Sequence, residues 1–271
     1  MSLQGATLAH RRALLAYEQM AARAVARSAA RPLAETLERL RAIDARLASG
    51  RPLTARQRAQ AQRDRARLLK TVRAARTDAR ATLQTRLTGA VQAEQQVSVR
   101  NLTAALPEGR TARAPAIDLQ TLLLNPTAGR SWTGRLDANM VQTYNRLDAA
   151  LLVAVDRGAS MPRATELVRL AVGEEAGLGH RLGRLVRTEI QRVSNEAAQA
   201  TYAANRDVVG AVRYLSTLDA RACAVCRPLH RRVYPLDELG GHAGPTIPQH
   251  PGCRCFFAPV TRSLAEILAA A

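Results

Sequence analysis

Four cysteines and a histidine near the C-terminal end of this 271-residue chain have the types and spacing of metal ligands. Cys223 and Cys226 are separated by two residues, which lets both sulfur atoms reach one tetrahedral zinc ion. Cys253 and Cys255 are two positions apart, so on an extended strand they point to the same face. His250 reaches the same region if the Pro-Gly that follows it turns the chain. These five donors exceed the four that a closed zinc site needs, and a thiolate-rich set favours zinc over harder ions.

Other chemistry is possible for these residues. A thioredoxin-type redox pair requires Cys-x-x-Cys at a strand-to-helix junction, whereas here the motif leads into the loop-like RPLHRRVYPLDELGG. Disulfides require oxidising surroundings, and no N-terminal signal-peptide layout indicates secretion. The sequence therefore favours structural Zn²⁺, with disulfides or free thiols and redox catalysis as the alternatives.

Three polar residues near the cluster receive structural interpretations. His230 and His242 are predicted to be loop histidines, although either could supply a fourth donor. Asp219 is predicted to orient a ligand or to cap the turn. Four protein donors would leave no open coordination position, so we predict no catalytic residue. The metal would instead be the staple of a module too short to bury a core unaided.

Short strands and a helix are predicted to position the cluster. VVGAVRYLSTLD before it approaches an every-second-residue pattern, and CRCFFAPV at its end is strand-like. Ser263 with Glu266 forms a capping box for a final helix. Upstream, a break at Gly177–His180 is predicted to precede a helix from about Leu182 to Asn205. Its apolar face comprises Leu182, Leu185, Val186, Ile190, Val193 and Ala197.

The rest of the chain also has helical periodicity. A helix is predicted from Ser131 with a core stripe that includes Trp132, and Ser160 is predicted to cap the next helix. Asp118 is predicted to precede a short helix within a linker rich in Pro and Gly. Near the N-terminus, SGRP separates two long helices, and Thr54 with Gln57 forms a capping box for the second. The expected seam of this antiparallel hairpin comprises Leu33, Leu37, Leu40, Ile43 and Leu47 on the first helix and Leu69, Val72, Ala75, Ala79, Leu83, Leu87 and Val91 on the second.

Charge distinguishes this hairpin from the rest of the chain. The formal net charge is +18, and between Arg41 and Arg86 there are twelve Arg and one Lys against three Asp. A field of one sign implies a polyanionic partner, of which nucleic acid is the commonest, although a solvated helix surface is the alternative. The narrow seam leads us to expect support from another subunit or a partner. No run of eighteen apolar residues occurs, so no membrane partner is expected.

The predicted fold class is mainly α: a long basic helical hairpin, a helical middle domain and a small zinc-stapled α+β module at the C-terminus. The predicted boundaries are 1–105 for the Arg-rich hairpin and 106–130 for a linker. Residues 131–207 form the helical part of the next domain, and residues 208–271 form the Cys/His module with its C-terminal helix.

Several motifs in order resemble one family. TLDARACAVCRPLHRRVYPLDE followed by PQHPGCRC, with RLVRTEIQRVSNEA upstream, is similar to the signature of tailed-phage head morphogenesis proteins, the minor head proteins like protein F of phage Mu. Arg187, Thr188, Glu189 and Asn195 match the upstream helix. The resemblance covers about residues 125–262. Many relatives have Asp-Gly where this chain has His230-Arg231.

The resemblance implies a non-enzymatic minor capsid protein of a phage or prophage. Its expected location is the virion, in the capsid interior or at the portal vertex, after assembly in the host cytoplasm. Expected partners are the portal protein, the major capsid or scaffold protein and non-specifically bound DNA, and the protein could be oligomeric. Two alternatives are a zinc-stapled HNH-like nuclease, with His242 or His250 as the base, and a free-standing nucleic-acid-binding protein.

Overall fold

The structure is a computed structural model that describes residues 3–126, 129–156, 158–216, 223–239 and 244–269. Helices dominate these residues, with one small sheet near the C-terminus, which confirms the mainly α class. The described helices include none with the length and hydropathy needed to cross a membrane. Contacts divide the chain into two compact units, the first formed by Met1–Gln19, Gln84–Thr127 and Arg187–Ala271 and the second by Met20–Leu83 and Ala128–Val186. The four predicted segments are consecutive stretches of sequence, and their boundaries stay a prediction.

The N-terminal part consists of helices, as predicted. Their bounds are Leu3–Ala30 for α1 and Ala34–Ala48 for α2, with a 3₁₀ turn between them, and Ala55–Thr103 for α3. The capping box that starts α3 is confirmed. The backbone N–H of Gln57 donates to Thr54 Oγ1 at 3.2 Å, and the N–H of Thr54 donates to Gln57 Oε1 at 3.0 Å.

The seam of the hairpin is buried as predicted, except at one position. Leu69 is 50% exposed, whereas its neighbour Leu68 is completely buried. The assignment of Leu69 was therefore wrong. Leu68 is four residues before the buried Val72 and seven before the buried Ala75, so it lies on the same helix face. Sequence spacing alone admitted either leucine, because positions three and four residues away both neighbour Val72.

A short helix, α4, spans Leu119–Leu124 and precedes the helices of the middle of the chain. Asp118 caps α4, and its side chain accepts hydrogen bonds from the N–H groups of Gln120 and Thr121. Helix α5 spans Trp132–Val155 and α6 spans Met161–Val172.

The two predicted serine caps differ. At the start of α5, Ser131 Oγ accepts from the N–H of Gly134 at 3.2 Å. Ser160 occupies the N-cap position of α6, but its side chain makes no capping hydrogen bond. The proline at the first turn of α6 has no N–H to satisfy, which reduces the need for a cap.

The predicted break before the last long helix does not occur. Helix α7 begins at Glu174 and runs without interruption to Ala204, through the glycines that were predicted to form a break before it. A Cβ on Gly177 would lie 3.3 Å from Arg181 Nη1 and 3.7 Å from Arg146 Nη1. Both arginines bind the buried carboxylate of Glu174, with Arg146 Nη1 at 2.6 Å from Glu174 Oε2. Here glycine gives space to an ion-pair network, and the network offsets its low helix propensity of about 1 kcal/mol.

In the second unit, α2 packs against α5 and α6, and α5 packs against α6. The expected support for the narrow α2–α3 seam therefore comes in part from the same chain. The core of this unit is aliphatic apart from Trp132 and Met140.

The sheet of the first unit has the order β2-β1-β3, with both pairs antiparallel. Strand β1 is Val209–Leu215, β2 is Val233–Pro235 and β3 is Phe256–Thr261. Tyr214 faces Phe257 across the β1–β3 ladder with an edge-to-face ring distance of 5.8 Å. The predicted capping box at Ser263 and Glu266 forms and starts α8 at Leu264–Ala269.

The turn between the Cys-x-x-Cys and β2 contains an unusual backbone. Arg231 has φ = 68°, in the left-handed region that glycine adopts readily. Its N–H donates to the carbonyl of Tyr214 at 2.8 Å, which ties the turn to β1. Arg231 is the position at which the resemblance described above leads us to expect glycine. The chain therefore keeps a glycine-like turn with a residue that has a Cβ, at a strain of about 1–2 kcal/mol.

Candidate metal centre

The first pair of sulfur donors lies on a tight turn after β1. The backbone N–H of Cys226 donates to Cys223 Sγ at 3.3 Å, and the N–H of Arg227 donates to the carbonyl of Cys223 at 3.1 Å. A short 3₁₀ helix, Arg227–Leu229, follows directly. This turn is why a two-residue spacing suffices to place both sulfur atoms on one side of the backbone.

A second turn carries the histidine and the next sulfur atom. The N–H of Cys253 donates to the carbonyl of His250 at 3.0 Å, and Gly252 has φ = 76°. The predicted Pro-Gly turn is therefore present, and the positive φ is the reason for glycine in it. The N–H of Gly252 donates to Thr188 Oγ1 at 2.9 Å, which attaches this turn to α7.

One face of α7 holds the backbone that follows. Thr188, Gln191 and Asn195 lie three and four residues apart and are all buried. Gln191 Nε2 donates to the carbonyl of Cys255, and Asn195 Oδ1 accepts from the N–H of Phe257 at 3.2 Å. These contacts explain two of the motif residues as positioning groups. Gln191 was missed from the sequence, although its spacing from Thr188 and Asn195 was visible.

The sulfur and nitrogen atoms form two groups that share Cys226. Cys223, Cys226 and His250 form one, Cys226, Cys253 and Cys255 form the other, and within each group the donor atoms lie within 4.8 Å of one another. His250 Nε2 lies 3.1 Å from Cys223 Sγ and 3.5 Å from Cys226 Sγ, and the sulfur atoms of Cys226 and Cys253 are 4.0 Å apart.

These separations fit a structural metal. Tetrahedral zinc requires about 3.8 Å between two sulfur ligands and about 3.6 Å between sulfur and nitrogen. His250 Nδ1 lies 3.1 Å from the carbonyl oxygen of Pro251, so a proton on Nδ1 leaves Nε2 free to bind a metal. Cysteines at all four positions are free thiols, so the disulfide alternative has no support here.

Without a metal, the four cysteine thiols differ in pKa. A hydrogen bond from the Cys255 thiol lowers the pKa of Cys253 to about 5, and the same contact raises the pKa of Cys255. Burial raises the pKa of Cys226 to about 11. Burial opposes ionisation of Cys223, but hydrogen bonds from Cys226 outweigh it and lower the pKa of Cys223. A divalent ion would have to displace the remaining protons, as metal binding to thiols generally does.

Tyr214 offers a second observation in favour of thiolates. The residue is completely buried, and its hydroxyl has no nitrogen or oxygen partner among the described residues. Burial and the side chains of Cys255 and Cys226 raise its pKa, so the phenol keeps its proton beside these sulfur atoms. A metal-bound thiolate would accept a charge-assisted hydrogen bond from this hydroxyl.

The other residues predicted near the cluster are not among the candidate metal donors of the described residues. His230 Nδ1 accepts from the N–H of Ser216 at 3.1 Å, and the residue belongs to neither donor group. Burial lowers the pKa of His230, which favours the neutral acceptor form. Asp219 and His242 lie outside the described residues.

A buried ion pair on α1 was also missed by sequence analysis. Arg11 and Glu18 are 5% and 2% exposed, and their nearest charged atoms are 3.6 Å apart. The Arg11 guanidinium lies 5.6 Å from the ring centroid of Phe256, the residue after Cys255. Burial raises the pKa of Glu18 to about 7 against the opposing effect of Arg11. In the sequence both residues look like ordinary charges of a polar helix.

Comparison with known proteins gives one match. Residues 145–258 match the family model described as phage Mu protein F like protein. The matched region contains the motif residues of α7 and all five candidate donors, and it confirms the resemblance over this part of the chain. Residues 1–144 lie outside the match. No curated protein and no solved structure matches the chain.

Proposed function

We propose that this chain, with residues 145–258 matching the phage Mu protein F like family, is a minor head protein of a tailed phage or prophage. The family match carries the proposal, from which we expect a role in head morphogenesis, a location in the virion and no enzymatic activity. The finer role we propose is association with the portal vertex and with packaged DNA, in head assembly, DNA packaging or DNA delivery.

The DNA contact is supported by a difference between two groups of cations in the second unit, those paired with carboxylates and those without an ion pair. Some of its arginines are neutralised by carboxylates beside them. Arg65 Nε lies 2.7 Å from Asp148 Oδ1, and Arg31 Nη2 lies 2.6 Å from Asp78 Oδ2. Further pairs of this kind include Arg39 with Asp64, Arg41 with Glu175 and Arg76 with Asp137.

The outward face of α3 has no such carboxylates. Six exposed cations lie on the side opposite the buried seam, and none of them forms an ion pair within the described part of the chain. We call this the basic face: Arg56, Arg63, Arg67, Lys70, Arg73 and Arg80. At 1.5 Å per residue it extends about 36 Å, close to one turn of B-DNA. Lys and Arg side chains can bind the phosphates of DNA, and such contacts do not depend on the base sequence. The chain shows no motif that reads bases, so we expect binding without sequence preference.

A charge-matched comparison tests the DNA contact. Replacing Arg67, Lys70 and Arg73 by Gln should weaken binding to a 30-base-pair duplex about tenfold or more at 0.1 M salt. It should also reduce the salt slope of the affinity by about 3, because three phosphate contacts are lost. Replacing the carboxylate-paired Arg41, Arg65 and Arg76 by Gln removes the same charge and should have a much smaller effect. Equal losses in the two variants, or no DNA binding by the wild-type chain, would contradict a DNA contact at the basic face.

The virion role is tested in particles. Phage or prophage particles should contain the chain at low copy number, and crosslinking should join it to the portal protein. Absence from purified particles would contradict the proposed role even if DNA binding were observed. The nuclease alternative predicts Mg²⁺-dependent cleavage of plasmid DNA that is lost on His242→Ala, whereas we expect no cleavage.

We further propose that the Cys/His cluster holds one structural zinc ion, with Cys226 among its ligands. Cys223, His250, Cys253 and Cys255 are the candidates for the other three positions. The ion would fix the turn after β1 to the turn before β3. Metal analysis of freshly isolated, reduced protein should give about one zinc per chain, and protein isolated without any bound metal would contradict the proposal.

A further inference from the structure

An exposed apolar strip lies on α5 and α6 of the second unit. Val141, Leu152 and Leu170 are 58%, 48% and 52% exposed, which is unusual for large apolar side chains that lie on neighbouring helices. The exposed positions of α5 between them are mostly uncharged. Such a strip in so charged a chain is typical of a protein interface.

The strip forms the walls of a groove. Two adjoining depressions of about 420 and 380 Å³ lie between α5 and α6, and Ala149 and Leu167 line both. Leu152 lines one depression, and Val141 and Leu170 line the other. The early part of α5 therefore faces the end of α6, and the groove follows α5 from Ala138 to Leu152, about 21 Å.

The groove dimensions favour a helix as the occupant. A length of about 21 Å corresponds to four helical turns, and the small side chain at Ala149 lets a partner backbone approach closely. A helix in such a groove presents apolar side chains at every third or fourth position.

Charge identifies the partner further. Arg163 lines the groove and forms no ion pair within the described part of the chain, whereas Arg146 is already paired with Glu174 and Asp156 lines the same depression as Arg163. The unit that contains the groove has twenty-four Lys and Arg residues against eleven Asp and Glu residues in 20–83 and 128–186. A second copy of this chain would bring the same positive field and be repelled. A helix with carboxylates beside its apolar face would instead be attracted.

We propose that the groove between α5 and α6 binds an amphipathic helix of an acidic partner protein. Its aliphatic side chains pack on Val141, Leu152 and Leu170, and its carboxylates lie beside Arg163 in the positive field of the unit. The inference rests on exposure, shape and charge, and it holds whether or not the partner is a phage head protein.

The test uses the full-length chain and a designed peptide. The peptide is a fluorescein-labelled 16-residue helix with Leu along one face and Glu at the flanking positions, and binding is followed by fluorescence anisotropy at 0.15 M salt. Leu152→Glu and Leu170→Glu should each weaken binding about tenfold or more, since each places a charge on the apolar wall. A peptide with Lys in place of every Glu should bind at least about tenfold more weakly.

Leu69→Glu is the matched control, because Leu69 is 50% exposed on α3 and lines neither depression of the groove. This variant should keep the wild-type affinity within about twofold. Equal weakening by Leu69→Glu, unchanged binding by the groove variants or equal binding of the Lys peptide would each overturn the proposal. A dimer of the wild-type chain in sedimentation velocity that Leu152→Glu abolishes would also overturn it, in favour of a second copy. Circular dichroism checks the fold, and Leu170→Ser repeats the test if a Glu variant loses helix.

Discussion

The side chains at the candidate metal centre fall into two groups, the candidate donors and the residues that hold the backbone of the donors in place. Donors are recognisable in the sequence because cysteine and histidine at these spacings have few other uses. The residues that hold the backbone, such as Gln191, are of types common in any helix. Their positioning role is visible only from their hydrogen bonds to the backbone of residues 252–257. The five candidate ligands could therefore be predicted from the sequence, whereas the helix face that positions them could not.

Glu18 should make stability depend on pH. Its folded-state pKa of about 7 lies above the usual value of 4.5, so the folded chain keeps a proton that the unfolded chain releases. Stability should therefore be lost as pH rises from about 4.5 to about 7, by about 3 kcal/mol at most. Glu18→Gln removes this penalty. In urea denaturation at pH 5, 6, 7 and 8, the free energy of unfolding of the variant should increase relative to that of the wild type as pH rises.

Glu35→Gln is the control for the loss of one negative charge, because Glu35 is an exposed residue of α2. Its difference from the wild type should stay nearly constant over the same pH range. Parallel profiles for Glu18→Gln and the wild type would show that burial of this carboxylate has no energetic consequence.

The periodicity of apolar residues predicted correctly that most of the chain is helical and where most of the helices lie. The hairpin, the helix from Trp132 and the apolar face of α7 all follow from three-and-four spacing. The start of α7 was predicted wrongly, because its glycines suggested a break. Only tertiary contacts reveal that Gly177 gives space to two arginines around Glu174. Helix propensity is a local quantity, and a buried ion-pair network can override it.

A pair of adjacent leucines on α3 tests the buried seam. Leu68→Ala should lower the free energy of unfolding by about 2–5 kcal/mol, because it leaves a cavity at a completely buried position. Leu69→Ala makes the same chemical change at a half-exposed position and should cost less than about 0.5 kcal/mol. Thermal or urea denaturation of the two variants measures both. Similar costs would mean that the face of α3 is assigned incorrectly.

Taken as a whole, the molecule combines distant parts of its sequence in each compact unit. The core around the Cys/His cluster includes residues of distant helices, because Leu102 of α3 and Tyr202 of α7 are buried in one hydrophobic cluster with Cys226, Cys253 and Phe257. A metal at this site would therefore stabilise the ends of long helices as well as the sheet.

Removal of the proposed zinc ion should reveal this shared core. In hydrogen exchange with a strong chelator, protection should decrease in residues 187–216 and 245–261 and also in residues 84–106. Residues 20–83 belong to the other unit and should keep their protection. Cys226→Ser should reproduce the pattern without chelator. Val225→Ser, at the exposed position beside it, should not. Loss of protection confined to residues 223–261 would contradict a shared core.

The sequence by itself determined the candidate donor residues, the helical class, the basic helices near the N-terminus and the family resemblance, because each depends on residue type and short-range spacing. Tertiary structure alone decided which cations keep their charge unpaired, which α7 residues hold the metal turns and how the core of the Cys/His cluster is shared. These properties depend on contacts between residues far apart in the chain, such as Arg65 with Asp148 and Gln191 with Cys255. A local pattern carries no information about such contacts, since they form only when separate elements pack together.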